Sequence, residues 1–171
     1  RLLTMYWDSG GTAPGVYLRW LGRDAVIAGS PVLVSQARRG AYTGDAARAG
    51  DGGFVVAWAN RRGTGTVDLF FRRFASDAQP VGGEVHVGHY ASRGTNRFFL
   101  GGVGIAGVGA DVRVAYALSH SSSRQIRYQN FPISSIGISG KDAVDDVVTL
   151  GKEVRVTDAT LAAHRPSLGC T

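Results

Sequence analysis

The stretch Asp51–Gly88 constrains the fold of this chain more than any other. A tight-turn signal, Asp51-Gly52-Gly53, opens onto an apolar run, Phe54-Val55-Val56-Ala57-Trp58. A polar Gly/Thr loop follows, then a second β-rich run, Val67–Phe74, a turn segment, Ala75–Pro80, and a short alternating segment, Glu84-Val85-His86-Val87. Runs rich in β-branched and aromatic residues, bounded by Gly, Asp and Pro, predict three strands joined by hairpin-like connections.

The same pattern occurs before and after this stretch. Leu3-Thr4-Met5-Tyr6-Trp7 and Val112-Arg113-Val114-Ala115-Tyr116 align with Phe54–Trp58, each a β-prone segment ending in an aromatic. Trp7 and Trp58 are 51 residues apart, and Trp58 and Tyr116 are 58 apart. For the second strand, Val16–Leu21 aligns with Leu69–Phe74 and more loosely with Ile126–Phe131. Asp24-Ala25 aligns with Asp77-Ala78, and Gly29 with Gly82 and Gly151. Val32-Leu33-Val34 aligns with Val85-His86-Val87 and Val154-Arg155-Val156. A segment of small residues precedes the aromatic strand in two copies, Asp45–Ala49 and Val103–Val108, and suits a strand pressed against other backbones.

Four strands per unit at this period predict an all-β, β-propeller-like fold with three four-stranded blades. The expected units are 1–44 (lacking its first strand), 45–102, 103–158 with an inserted loop at 132–147, and 159–171 as the first strand of a further or closing blade. Three blades are too few for a typical ring of four to eight. The chain is therefore expected to be an arc of a larger ring, or one completed by other chains. Its first residues, Arg1–Trp7, start in mid-pattern, as expected of a piece of a longer precursor. No window carries a capped helical pattern, apart from about one turn at Asp158–His164.

Composition narrows the functional classes. Among 171 residues there are 25 glycines and only five prolines, which fits many tight turns without a collagen period. The net charge of +6 comes almost wholly from arginine, with Lys141 and Lys152 the only lysines. The arginines are scattered, with doublets at Arg38-Arg39, Arg61-Arg62 and Arg72-Arg73, whereas a nucleic-acid binder concentrates its charge on one face. Nucleic acid is thus not the expected partner. No run approaches the roughly 18 apolar residues of a membrane-spanning helix. The single cysteine, Cys170, has no partner within the chain for a disulfide.

The Asp-Gly-Gly, Phe-Val-Val and Trp sequence at 51–58, the strand ending in Arg73-Phe74 and the Gly-x-Glu-x-Val turn at 82–87 together resemble a repeat of large bacterial secreted and cell-surface proteins. That resemblance is strongest over Asp51–Val87, weaker over Leu3–Val34 and weakest over Asp111–Val156, where Tyr116 stands in place of Trp. It implies a propeller-like scaffold outside the cell, on its surface or in the periplasm, acting by adhesion, binding or assembly. The partners implied are other protein chains, the rest of a longer precursor, or a glycan. The motif carries no catalytic residue to transfer.

Sites of chemistry are sparse. There is no Gly-x-Ser-x-Gly nucleophile elbow and no Gly-x-Gly-x-x-Gly opening a helix. His86 and His89 form a His-x-x-His pair without further spaced ligands. No catalytic residue or obligate cofactor is assigned, and the chain is read as a non-enzyme. Asp142, Asp145 and Asp146 gather carboxylates on the inserted loop as a candidate Ca²⁺ site, though without EF-hand spacing. Binding candidates are the strand aromatics Tyr17, Trp20 and Phe70 together with Arg72, since an outward aromatic beside arginine can stack on a sugar or grip a partner. Trp7, Trp58 and Tyr116 are expected in the core between units. The alternative reading is part of a propeller-type carbohydrate-active enzyme or lectin. That would require several carboxylates converging at one face.

Overall fold

A computed structural model describes residues 2–8, 10, 13–24, 26–35, 41–62, 66–91, 98–120, 123–132 and 154–155. Those residues form strands and turns, with no helix among them. The strands are β1 (Leu2–Asp8), β2 (Gly15–Leu21), β3 (Ile27–Ser35), β4 (Ala41–Arg48), β5 (Phe54–Arg62), β6 (Thr66–Phe74), β7 (Pro80–Ala91), β8 (Phe98–Val108), β9 (Asp111–His120), β10 (Ser123–Pro132) and β11 (Val154–Arg155). They make three antiparallel meanders: β1-β2-β3, β4-β5-β6-β7 and β8-β9-β10-β11. All-β architecture is therefore as the sequence predicts. None of the three sheets is closed. Asp142, Asp145 and Asp146, residues 133–147 of the inserted loop, the expected helical turn at Asp158–His164 and the expected closing strand at 159–171 lie outside the described residues.

Local chemistry explains the connections. At the β4–β5 turn the Asp51 carboxylate accepts the Gly53 amide, and Gly52 takes a positive φ of 87°. At the β6–β7 turn the Asp77 carboxylate accepts the Gln79 amide, while the Ala75 amide donates to the Gln79 carbonyl. The β2–β3 turn repeats both bonds 53 residues earlier, Val26 to Asp24 and Gly22 to Val26. Short acidic side chains that bond the amide two residues on fix such turns without tertiary help. Gly29 and Gly82 carry the same left-handed φ, 80° and 79°.

Strand register shows how the sheets correspond. Phe54 pairs with Phe74 and Trp58 with Phe70 in the second sheet; Val112 pairs with Phe131 and Tyr116 with Arg127 in the third. In the first sheet Leu2 pairs with Leu21 and Tyr6 with Tyr17. Packing fixes which of these match. Phe54, Val56, Trp58, Phe70 and Phe74 cover Val16, Leu18 and Val34 of the first sheet. On the opposite face of the second sheet, Leu69, Phe71 and Val87 meet Val112, Val114, Tyr116 and Phe131. Val16, Leu18 and Val34 thus sit where Leu69, Phe71 and Val87 sit, 53 residues on. This corrects the sequence alignment of the first strand by one residue. Tyr6, not Trp7, corresponds to Trp58 and Tyr116. Trp7 is 43% exposed, whereas Trp58 is 1% and Tyr116 0% exposed, so Trp7 is not core. A one-residue slip in a strand moves a side chain to the other face, which is why the difference matters.

The two cores are apolar and aromatic. Phe71 meets Phe131 edge to face at 4.8 Å, and Phe54 stacks on Phe74 at 5.2 Å. Each large side chain removed from water in this way contributes about 1.5–3 kcal/mol. The small-residue strands β4 and β8 lie side by side. The Asp45 carboxylate accepts the Ile105 amide across the gap at 3.1 Å, and a methyl on Gly107 would collide with the Arg48 carbonyl.

Candidate functional site

Two of the aromatic candidates and Arg72 are placed by the sheet faces. Phe70 is buried between Trp58 (5.7 Å) and His86 (4.8 Å), so it presents nothing to solvent. Its strand carries apolar residues on both faces, the pattern of a sheet covered on both sides, and simple alternation cannot reveal which face is open. Arg72 is half-buried: its guanidinium lies over the Phe74 ring and donates from Nη1 to the Val34 carbonyl of the first sheet at 2.6 Å. It is thus engaged between sheets. Tyr17 is half-buried and stacks on Tyr6 at 5.6 Å, on the face of the first sheet turned away from the second.

Trp20 opens onto a cavity. A groove of about 770 Å³ runs between the first two sheets, floored by Leu3, Trp20, Phe54 and Ala46 and rimmed by Arg48 and Asp77. Trp20 meets Phe54 edge to face at 5.8 Å and is half-buried, leaving part of its indole on the groove. Both rim charges are exposed, one cationic and one anionic. An apolar floor with a few polar groups at the rim is the ordinary make-up of a ligand groove. Among its described lining residues, Asp77 supplies a carboxylate. The arrangement can hold and orient a ligand.

Sequence reasoning missed a buried polar pair. His86 Nε2 lies 3.0 Å from Asp68 Oδ1 and 3.0 Å from the Gly88 carbonyl, with both side chains buried. Two acceptors facing one nitrogen place the proton on Nε2. Asp68 and His86 sit on neighbouring strands 18 residues apart, a separation with no motif to announce it. His86 is therefore held by a carboxylate and a carbonyl within the sheet. Among the described residues no three His, Cys, Asp or Glu side chains gather as a metal site. A second polar link joins the second and third sheets: Tyr90 Oη donates to Tyr116 Oη at 2.7 Å. Burial raises the pKa of both phenols, most strongly that of Tyr116.

Comparison with protein-family models, with curated proteins and with solved structures returned no match.

Proposed function

We propose that the protein is a non-catalytic repeat scaffold of β-propeller type, working outside the cell or at its surface, whose groove between the first two sheets binds a saccharide. The groove with Trp20 in its floor carries this reading. An indole face packs against the C–H face of a sugar ring, while Arg48, Ser76 and Asp77 offer donors and acceptors to its hydroxyls. The recurrence of one packing scheme across three sheets supports the propeller-type architecture. The two-sided apolar cores of the second sheet support a scaffold role.

The test is binding of a panel of neutral and acidic oligosaccharides, followed by tryptophan fluorescence and calorimetry. Trp20→Ala is expected to weaken binding by about 1–3 kcal/mol, the range of a lost aromatic anchor, with far-UV circular dichroism unchanged. Binding that survives Trp20→Ala and Asp77→Ala intact would remove the groove from consideration.

A further inference from the structure

Strand order gives the groove between the first two sheets a fixed charge layout. Arg48 of β4 and Phe74 of β6 both pair with Phe54 of β5, one on each side. Neighbouring strands lie about 4.8 Å apart, so the two flanking backbones are about 10 Å apart. Side chains alternate along a strand, so Arg48 shares a face with Ala46, and both line the groove. The turn after Phe74 brings Ser76 and Asp77 to the other side of the same row. There the Gln79 amide, donating to Asp77 Oδ1 at 3.0 Å, holds that carboxylate in place. A cation thus stands on one side of the Trp20–Phe54 floor, and a hydroxyl and a carboxylate on the other. Nearby carboxylates are engaged elsewhere. Asp45 accepts the Ile105 amide of the third sheet, and Asp51 takes the Arg73 guanidinium and the Gly53 amide. The exposed Arg48 guanidinium forms no ion pair and no hydrogen bond with the described residues.

We infer that the groove takes a saccharide bearing an anionic group, a carboxylate or a sulfate ester, with that group on Arg48, a sugar ring over Trp20 and Phe54, and ring hydroxyls donating to Asp77. The planar guanidinium fork matches a pair of oxygens on the ligand, and a hydrogen bond between two charged groups is stronger than one between neutral groups. Like charge keeps the anionic group away from Asp77, so the ligand lies in the groove in one direction. The aromatic floor between the two charges makes contact with any sugar ring, whereas Arg48 distinguishes an acidic sugar from a neutral one. The chain's net charge of +6 adds a long-range attraction for an anionic polymer. The inference rests on the saccharide-groove reading and adds to it the charge of the sugar and its orientation.

Calorimetry on the full chain tests this with two matched pairs of probes: an oligogalacturonate against its methyl ester, and a sulfated oligosaccharide against its unsulfated parent. The readout is the ratio of affinities within a pair. At low ionic strength a ratio of about three to five in favour of the acid is expected, the range of an exposed charge pair, shrinking in about 0.5 M salt. The pair with the larger ratio identifies the anionic group. Arg48→Met, which keeps the aliphatic stem, is expected to bring the ratio close to one, and Arg48→Lys to retain part of it. Circular dichroism checks that both variants fold, and Arg48→Lys together with the salt dependence decides should Arg48→Met misfold. A ratio near one in both pairs, or a preference that survives Arg48→Met, would overturn the inference. Binding of neutral and acidic sugars alike that is lost in Trp20→Ala would overturn it and leave the saccharide groove standing. No binding of any probe, or binding of the acid that is indifferent to Trp20→Ala, would remove both.

Discussion

At the scale of single residues, the Asp68–His86 pair is a buried polar pair held within the second sheet. A carboxylate taken out of water is tolerated only when its partners are in place. Asp68→Ala leaves the buried imidazole without its carboxylate and is expected to destabilise the fold by about 1–3 kcal/mol, read as a lower urea midpoint at unchanged slope. Asp51 is the contrasting case. Its carboxyl is held below the usual carboxylate range, first by the Arg73 guanidinium and then by the Gly53 amide. A lowered folded-state pKa means that its small contribution is present above the ordinary carboxylate value and is lost as pH falls through the folded one. Because Asp51 is exposed, solvent screening keeps that contribution minor.

Between elements, the tightest contact is β4 against β8. Backbone meets backbone there, and Gly107 is glycine because the Arg48 carbonyl occupies the space a Cβ would need. Gly107→Ala is expected to cost about 1–3 kcal/mol, the cost of overpacking, since a carbonyl cannot swing aside as a side chain would. Gly29→Ala offers an internal comparison. Nothing lies within 4 Å of its Cβ position, so only the positive φ is penalised, at about 1–2 kcal/mol. Thermal melts of the two variants distinguish crowding from backbone strain when combined with Gly107→Ser. A still larger side chain worsens the clash at 107, whereas at 29 Asn is better tolerated than Ala.

For the molecule as a whole, the interface of the second and third sheets sets an alkaline limit. Burial is the first cause that raises the phenol pKa values of Tyr90 and Tyr116; for Tyr116 the neighbouring Tyr90 adds to it, whereas for Tyr90 the bond to Tyr116 opposes it. A raised folded-state value means that stability is intact below the unfolded tyrosine value of about 10 and is lost as pH rises above it. The loss approaches about 1.4 kcal/mol per pH unit for each phenol that stays protonated in the fold. Urea midpoints are expected to be flat from pH 8 to about 10 and then to fall. Tyr90→Phe/Tyr116→Phe should flatten that fall, at the cost of the 2.7 Å bond between the sheets. An unchanged alkaline slope in the double variant would show that other groups set it.

The amino-acid order alone settled what is local. Strand-forming runs, Asp-anchored turns and the left-handed glycines at 29 and 82 depend on near neighbours, so the three-fold recurrence of a meander was legible. The choice between Tyr6 and Trp7 was not legible. Both are aromatic and adjacent, and alternation leaves open which one a distant sheet will cover. Phe70 read as a surface candidate for the same reason, until the first sheet closed over it. The pairing of Asp68 with His86, and the groove that gives Trp20 its access, come from strands meeting at long separation. Which face of a strand is buried is decided by the sheet packed against it, and that information lies in tertiary contacts rather than in any window of sequence.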